Sequence, residues 1–282
     1  MVETSSEHAC FGGVQGFYSH SSVSIGLPMR FSVFQPPQAR HGPVPVLFFL
    51  AGLTATEETF MTKAGAQRLA AEYGLMVVST DTSPRDTGIE GADAAWDFGH
   101  GAGFYLDALV PPWDRNFRME TWVVKELREL ILNSFPARAD RIGIFGHSMG
   151  GHGALTLALR HPDIYRSVSA FAPISAPTQC AWGEKAFSNF LGPDRQRWNE
   201  HDASELMRRR KKPFPTGILV DQGLSDKFFE QQQLRPEIFE AACKDADQPL
   251  VLRLHAGYDH GYYFISTFMA DHLAFHRANL SN

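Results

Sequence analysis

"RIGIFGHSMGGHGALTLALRH", Arg141 to His161, joins a short apolar run to a run of helical spacing through a glycine-rich junction. Gly146-His147-Ser148-Met149-Gly150 fits the pattern G-x-S-x-G. A strand that reverses sharply into a helix lifts a serine hydroxyl clear of the sheet end. Such a turn strains the serine backbone and leaves no room for a side chain two residues to either side. Gly146 and Gly150 meet that need, and Gly151 lets the helix approach the sheet. A serine that merely capped a helix would not require flanking glycines. The junction therefore reads as a nucleophile elbow with Ser148 at its apex.

Outward from the elbow, apolar runs without alternation recur: "VPVLFFL", "LMVVST", "RIGIF", "SVSAFAP", "TGILVD" and "PLVLRLH". Such runs suit strands buried on both faces of a parallel sheet. Helical patterns lie between them, near Glu57–Tyr73, Phe117–Ser134, Met149–His161, Glu230–Lys244 and Tyr262–Ala278. Ahead of them, "SVSIGLPMRFSVFQPP" alternates and reads as two short strands joined by a Gly-Leu-Pro turn. The fold class is α/β: a mostly parallel central sheet with helices on both faces, the α/β-hydrolase arrangement. Residues 1–282 read as one domain. Ligands bind beyond the C-terminal strand ends in such sheets, so the loops after Leu50, Thr80, Phe145, Ala172, Val220 and His255 hold the candidates.

Composition narrows the function. The chain has 282 residues, is 44% hydrophobic and 20% charged, and carries a formal net charge of -5. That length suffices for a large core without staples, and the charge implies no nucleic-acid or membrane partner. The basic run Arg208–Lys212 reads as a solvated helix end. Cys10, Cys180 and Cys243 are scattered and odd in number, which fits neither a disulfide framework nor a metal site. The opening "MVETSSEHAC" is polar and acidic where a signal peptide needs basic and then apolar residues. The expectation is a cytoplasmic protein without metal or other cofactor; no phosphate-cradling or flavin motif appears.

A serine hydroxyl needs a base within hydrogen-bond reach. The order expected of this fold is serine, acid, histidine, each on a later loop. His260, in "AGYDHGYYF", is the best-placed base. His255 falls within a strand pattern, and His147 and His152 flank Ser148 without pointing at it. His272 and His276 lie on the last helix and read as surface groups. Asp221 and Asp226 are the candidate acids; Asp226 lies in the loop and reaches further toward His260. Asp259 reads as a loop brace. The oxyanion needs two N–H donors, expected from Met149 and from Leu53 in "AGLTATEETF". A histidine base also implies that activity falls as pH drops through about 6.5.

Several further stretches carry a family resemblance: "FGGVQGFYSHSS", "AGLTATEETFMTKAGAQRLAAEYGL", "WDFGHGAGFYLDA", "CAWGEKAFSNFLG", "DQGLSDKF" and "GYDHGYYFI". With the elbow, they make the chain resemble the S-formylglutathione hydrolases, also called esterase D, over nearly its whole length. The resemblance implies Ser148, Asp226 and His260 as the triad and Leu53 and Met149 as the oxyanion hole. It implies hydrolysis of S-formylglutathione to glutathione and formate in formaldehyde detoxification, with side activity on short-chain esters, by a homodimer. Two positions depart from the family pattern. Ala55 stands where the family often has cysteine, so resistance to thiol reagents is expected. Gly261 stands where serine usually follows the histidine. A formyl group is small, so Trp182 and Trp96 are expected to wall the acyl pocket. Glutathione carboxylates call for cations, and Lys63, Arg85 and Lys185 lie in or near the expected rim, though each also reads as a plain surface charge; Lys185, in the segment that carries Trp182, joins the expected pocket. A general short-chain carboxylesterase is the main alternative; an acyltransferase or a binding module is less well supported by the residues.

Overall fold

The structure is a computed structural model describing residues 2–281. Nine strands form one sheet in the order β1-β2-β3-β5-β4-β6-β7-β8-β9. β4 (Val44–Leu50), β5 (Met76–Thr80), β6 (Ala137–His147), β7 (Ser167–Phe171), β8 (Ile218–Gly223) and β9 (Leu250–His255) run parallel. β5, β7 and β8 are buried along their whole length, as continuous apolar runs require. Helices cover both faces, and the loops at the C-terminal ends of β4, β6, β8 and β9 meet on one side.

The N-terminal reading needs correction. β1 (Val2–Cys10) and β2 (Gly13–Ser21) form an antiparallel hairpin ahead of the stretch expected to hold two strands. Phe11 and Gly12, at φ 47° and 74°, make its two-residue turn. β1 is an edge strand that is mostly exposed, so "VETSSEHAC" carries no apolar alternation to read. Of the two expected strands only β3 (Pro28–Gln35) forms. Ser22–Leu27 is instead a loop that wraps the Glu126 carboxylate, which accepts from Ser22 Oγ, Val23 N and Ser24 N.

The helices also differ in detail. Gly65 at φ 68° divides the expected helix into Glu57–Lys63 and Gln67–Tyr73. Pro236 moves the start of another to Pro236–Asp245, since proline tolerates only the first turn. No helix among the described residues is long and apolar enough to cross a membrane.

His272 and His276, expected at the surface, are fully buried between the last helix (Tyr262–Leu280) and the sheet. Their i,i+4 spacing puts both rings on the face that meets β7. There Ser169 Oγ lies 2.8 Å from both His272 Nδ1 and His276 Nε2, and Ser167 Oγ 2.7 Å from His276 Nδ1. His272 Nε2 reaches Asp221 Oδ2 at 3.2 Å. Gly143 makes the space: a Cβ there would stand 2.6 Å from Ser167 Oγ.

Candidate active site

β6 ends at His147, and the helix Met149–Arg160 begins one residue after Ser148. Ser148 takes φ 57° and ψ -120°, a conformation L-residues avoid. Its backbone is held from both sides: the N–H donates to Phe171 O at 2.9 Å, and the carbonyl accepts from His152 N at 2.9 Å. A Cβ on Gly146 would stand 2.1 Å from Gly150 O, and one on Gly150 1.9 Å from Leu50 O. Those contacts are with backbone and cannot give way, which is why both positions are glycine.

The loop after β4 runs directly beneath the elbow. A Cβ on Gly52 would lie 3.1 Å from Ser148 Cβ and 3.2 Å from His147 Nδ1. In that loop Thr54 N–H donates to Gly101 O and Ala55 N–H to Gly52 O. The N–H groups of Leu53 and Met149 keep no acceptor among the described residues. The Met149 N–H also opens a 12-residue helix, whose dipole favours negative charge there. The loop is braced from behind: Tyr105 Oη donates to Ala51 O at 2.8 Å, and Thr82 Oγ1 to Ala55 O at 2.7 Å.

Of the two candidate acids, the structure brings Asp226 to His260. His260 Nδ1 lies 2.5 Å from Asp226 Oδ2. Asp226 is fully buried and caps the short helix Lys227–Glu230, accepting from Phe228 N at 2.8 Å. Gln222, not singled out from the sequence, donates from Nε2 to the same Oδ2 at 3.2 Å. Burial pushes the Asp226 carboxyl up; the His260 contact, the Phe228 N–H and Gln222 outweigh it and leave the pKa below its ordinary value. Asp221 is committed elsewhere, to a bidentate pair with Arg253 at 2.6 Å and to His272. Asp259 accepts from Gly261 N at 2.8 Å and so braces the loop. Gly261 has extended backbone at φ -88°, which any residue adopts.

Ser148 and His260 line one cavity of about 400 Å³ together with Leu53, Trp96 and Trp182. No hydrogen bond joins Ser148 Oγ to His260; such bonds often close only when substrate is bound. The rings of the wall succeed one another. Tyr262 to His147 is 6.2 Å between centroids, His147 to His260 4.4 Å, His260 to Phe228 4.9 Å, Phe228 to Trp182 4.7 Å and Trp182 to Trp96 5.5 Å. His260 thus stands between Phe228, Trp182 and Trp96 on one side and His147 and Tyr262 on the other.

The chain matches the "Putative esterase" family model over residues 22–275. It is 51% identical over 276 residues to the S-formylglutathione hydrolase of Mus musculus, covering 98% of each chain. The chain belongs to the S-formylglutathione hydrolase family. Its likeness to that of Paracoccus denitrificans is 51% over 278 residues, 99% of this chain and 98% of the other. A solved S-formylglutathione hydrolase from Agrobacterium tumefaciens superposes with a TM-score of 0.95 at 47% identity, covering 99% of both chains.

Within this S-formylglutathione hydrolase family framework, the remaining expected residues fall as follows. Trp182 is buried in the cavity wall and Trp96, 54% exposed, stands at its rim. Ala55 lines the cavity; none of the three cysteines does. Lys185 is corrected: it does not line the cavity but pairs with Asp97. Arg85 is likewise spent on Asp81 and on the Ala55 carbonyl. His147, read as pointing elsewhere, packs on His260, while Phe228 and Tyr262 were not read at all. The latter two lie two residues after Asp226 and His260, a spacing that could have drawn attention to them.

Proposed function

We propose that this protein hydrolyses S-formylglutathione to glutathione and formate, with Ser148, His260 and Asp226 as its triad. The observation that carries the catalytic roles is the buried Asp226 carboxylate 2.5 Å from His260 Nδ1, in a cavity shared with the strained Ser148. His260 takes the Ser148 Oγ proton on Nε2 as Oγ attacks the formyl carbon. Asp226 holds the other ring nitrogen protonated and stabilises the imidazolium. The oxyanion accepts from the N–H groups of Leu53 and Met149, worth about 3–4 kcal/mol each to the transition state. The C–S bond breaks, and His260 returns the proton to the departing thiolate. Water, giving its proton to His260, attacks the formyl ester; formate leaves as Ser148 regains its proton.

A thiol of pKa about 8.5 leaves more readily than an alcohol, so short activated esters are also substrates. Trp182 and Trp96 confine the acyl group. The same reading makes the chain a single-domain cytoplasmic homodimer acting in formaldehyde detoxification. The unpaired cysteines support the compartment, and the family resemblance supports the dimer. A steady-state assay on S-formylglutathione tests the reading. Turnover by the wild type and none by Ser148→Ala is expected. A wild type active only on aryl acetates would make it a general carboxylesterase.

A further inference from the structure

Three cations were expected around the rim, and two are already neutralised. Arg85 is bound to Asp81, and Lys185 to Asp97. Lys63 is the one Lys or Arg that lines the cavity among the described residues, and it forms no ion pair. No Asp or Glu lines the cavity either. An unpaired ammonium thus faces a space that holds no countercharge.

Its position in the wall is specific. Lys63 Nζ lies over the Tyr262 ring, 5.8 Å from the centroid, at the end of the ring succession opposite Trp182 and Trp96. Thr59, one helical turn earlier on the same face, lines the cavity beside it. At the aromatic end the cavity lining is Phe228, Trp182 and Trp96, none of them charged. The Lys63 end carries a cation, a threonine and two imidazole- or phenol-bearing rings. Lys63 also ends the helix Glu57–Lys63, where a cation meets the helix dipole favourably. That accounts for a lysine at the helix end, not for its lack of an acidic partner at a cavity wall.

We propose that Lys63 is the carboxylate-binding residue of the thiol half of the substrate, and that the thiol therefore lies toward Tyr262 while the acyl group lies toward Trp182. This rests on the thioester reading given above, because the thiol it assigns bears carboxylates beside its cysteine. An ammonium–carboxylate contact of this kind changes binding by about tenfold when lost. Lys227, whose Nζ lies over Phe228 at the aromatic end and outside the cavity lining, has no such role.

The test compares two thioesters of the same formyl group: S-formylglutathione and the neutral S-formyl-N-acetylcysteamine. In Lys63→Met the ratio of kcat/KM for the anionic over the neutral thioester falls about tenfold, through KM. Lys63→Arg restores most of the ratio, and Lys227→Met leaves it at the wild-type value. Esterifying both carboxylates of S-formylglutathione lowers wild-type kcat/KM, and Lys63→Met then lowers it no further. An unchanged ratio in Lys63→Met, or the fall appearing in Lys227→Met, overturns the assignment. Failure of the wild type on S-formylglutathione is a separate result, and refutes the thioester reading instead.

Discussion

Lowering the pH from 7.5 to 5.5 should remove a large part of the folding free energy. His147, His152, His201 and His276 are held neutral in the folded chain, chiefly by burial. His152 is pushed down to about 3 and His201 to about 4, while His147 and His276 lie well below the ordinary value. In the unfolded chain each titrates near 6.5. The folded pKa is thus the depressed one, and the unfolded state binds protons first. Stability is present above pH 6.5 and is lost as pH falls toward the folded values. At pH 5.5, one unit below the unfolded pKa, each group costs a little over about 1 kcal/mol. Together the four cost about 5 kcal/mol, comparable with the whole stability of many domains, about 5–15 kcal/mol. His272 adds less, because its Asp221 contact opposes the effect of burial. Glu57 and Asp202, raised by burial, act with the opposite sign at lower pH. Urea unfolding at constant ionic strength, followed by tryptophan fluorescence, measures the change. A drop under about 1 kcal/mol between pH 7.5 and 5.5 would refute the reasoning, since it rests on a single proton uptake per ring. His276→Gln should flatten the pH dependence by about one quarter, whatever it does to stability at pH 7.5.

Other consequences are as specific. Gly150→Ala forces a Cβ to within 1.9 Å of the Leu50 carbonyl and should cost about 3 kcal/mol or more, read as a lower urea midpoint. Gln222→Leu removes the second donor to Asp226 Oδ2; kcat should fall about tenfold with little change in KM, and an unaltered kcat would strip Gln222 of a positioning role. Trp182→Ala should extend turnover toward longer acyl chains, and an unchanged chain-length profile on 4-nitrophenyl esters would take it out of the acyl wall. Iodoacetamide should leave activity intact. Ala55 offers no thiol at the cavity, and burial pushes Cys180 up to about 11 and Cys243 up to about 12, so thiolate is scarce; rapid inactivation would contradict this.

Much of the frame was legible because its signals are local. Gly146 and Gly150 announce the elbow by excluding side chains, and the unbroken apolar runs of β4, β5, β7 and β8 announce parallel strands. Loop order pointed to His260 and left Asp221 and Asp226 as alternatives; the family resemblance favoured Asp226, the one that lies against His260. What escaped depended on partners distant in the chain. β1 is held by pairing with β2, not by an apolar pattern of its own. Ser22–Leu27 is fixed by Glu126, about a hundred residues on, which no local alternation reveals. His272 and His276 look polar until Ser167 and Ser169 are seen opposite them. Lys185 and Lys63 look alike in sequence; only Asp97 tells them apart.

The buried run from Asp221 to Ser167 has a direction. A carboxylate only accepts, so His272 must carry its proton on Nε2 and offer a bare Nδ1 to Ser169. With its hydrogen spent there, Ser169 must accept from His276 Nε2, whose Nδ1 in turn takes the hydroxyl hydrogen of Ser167. One anion at one end thus dictates the tautomer of two imidazoles and the rotation of two hydroxyls across β7, β8 and the final helix. The seam joining that helix to the sheet is therefore polarised end to end, and it can be assembled in only one orientation.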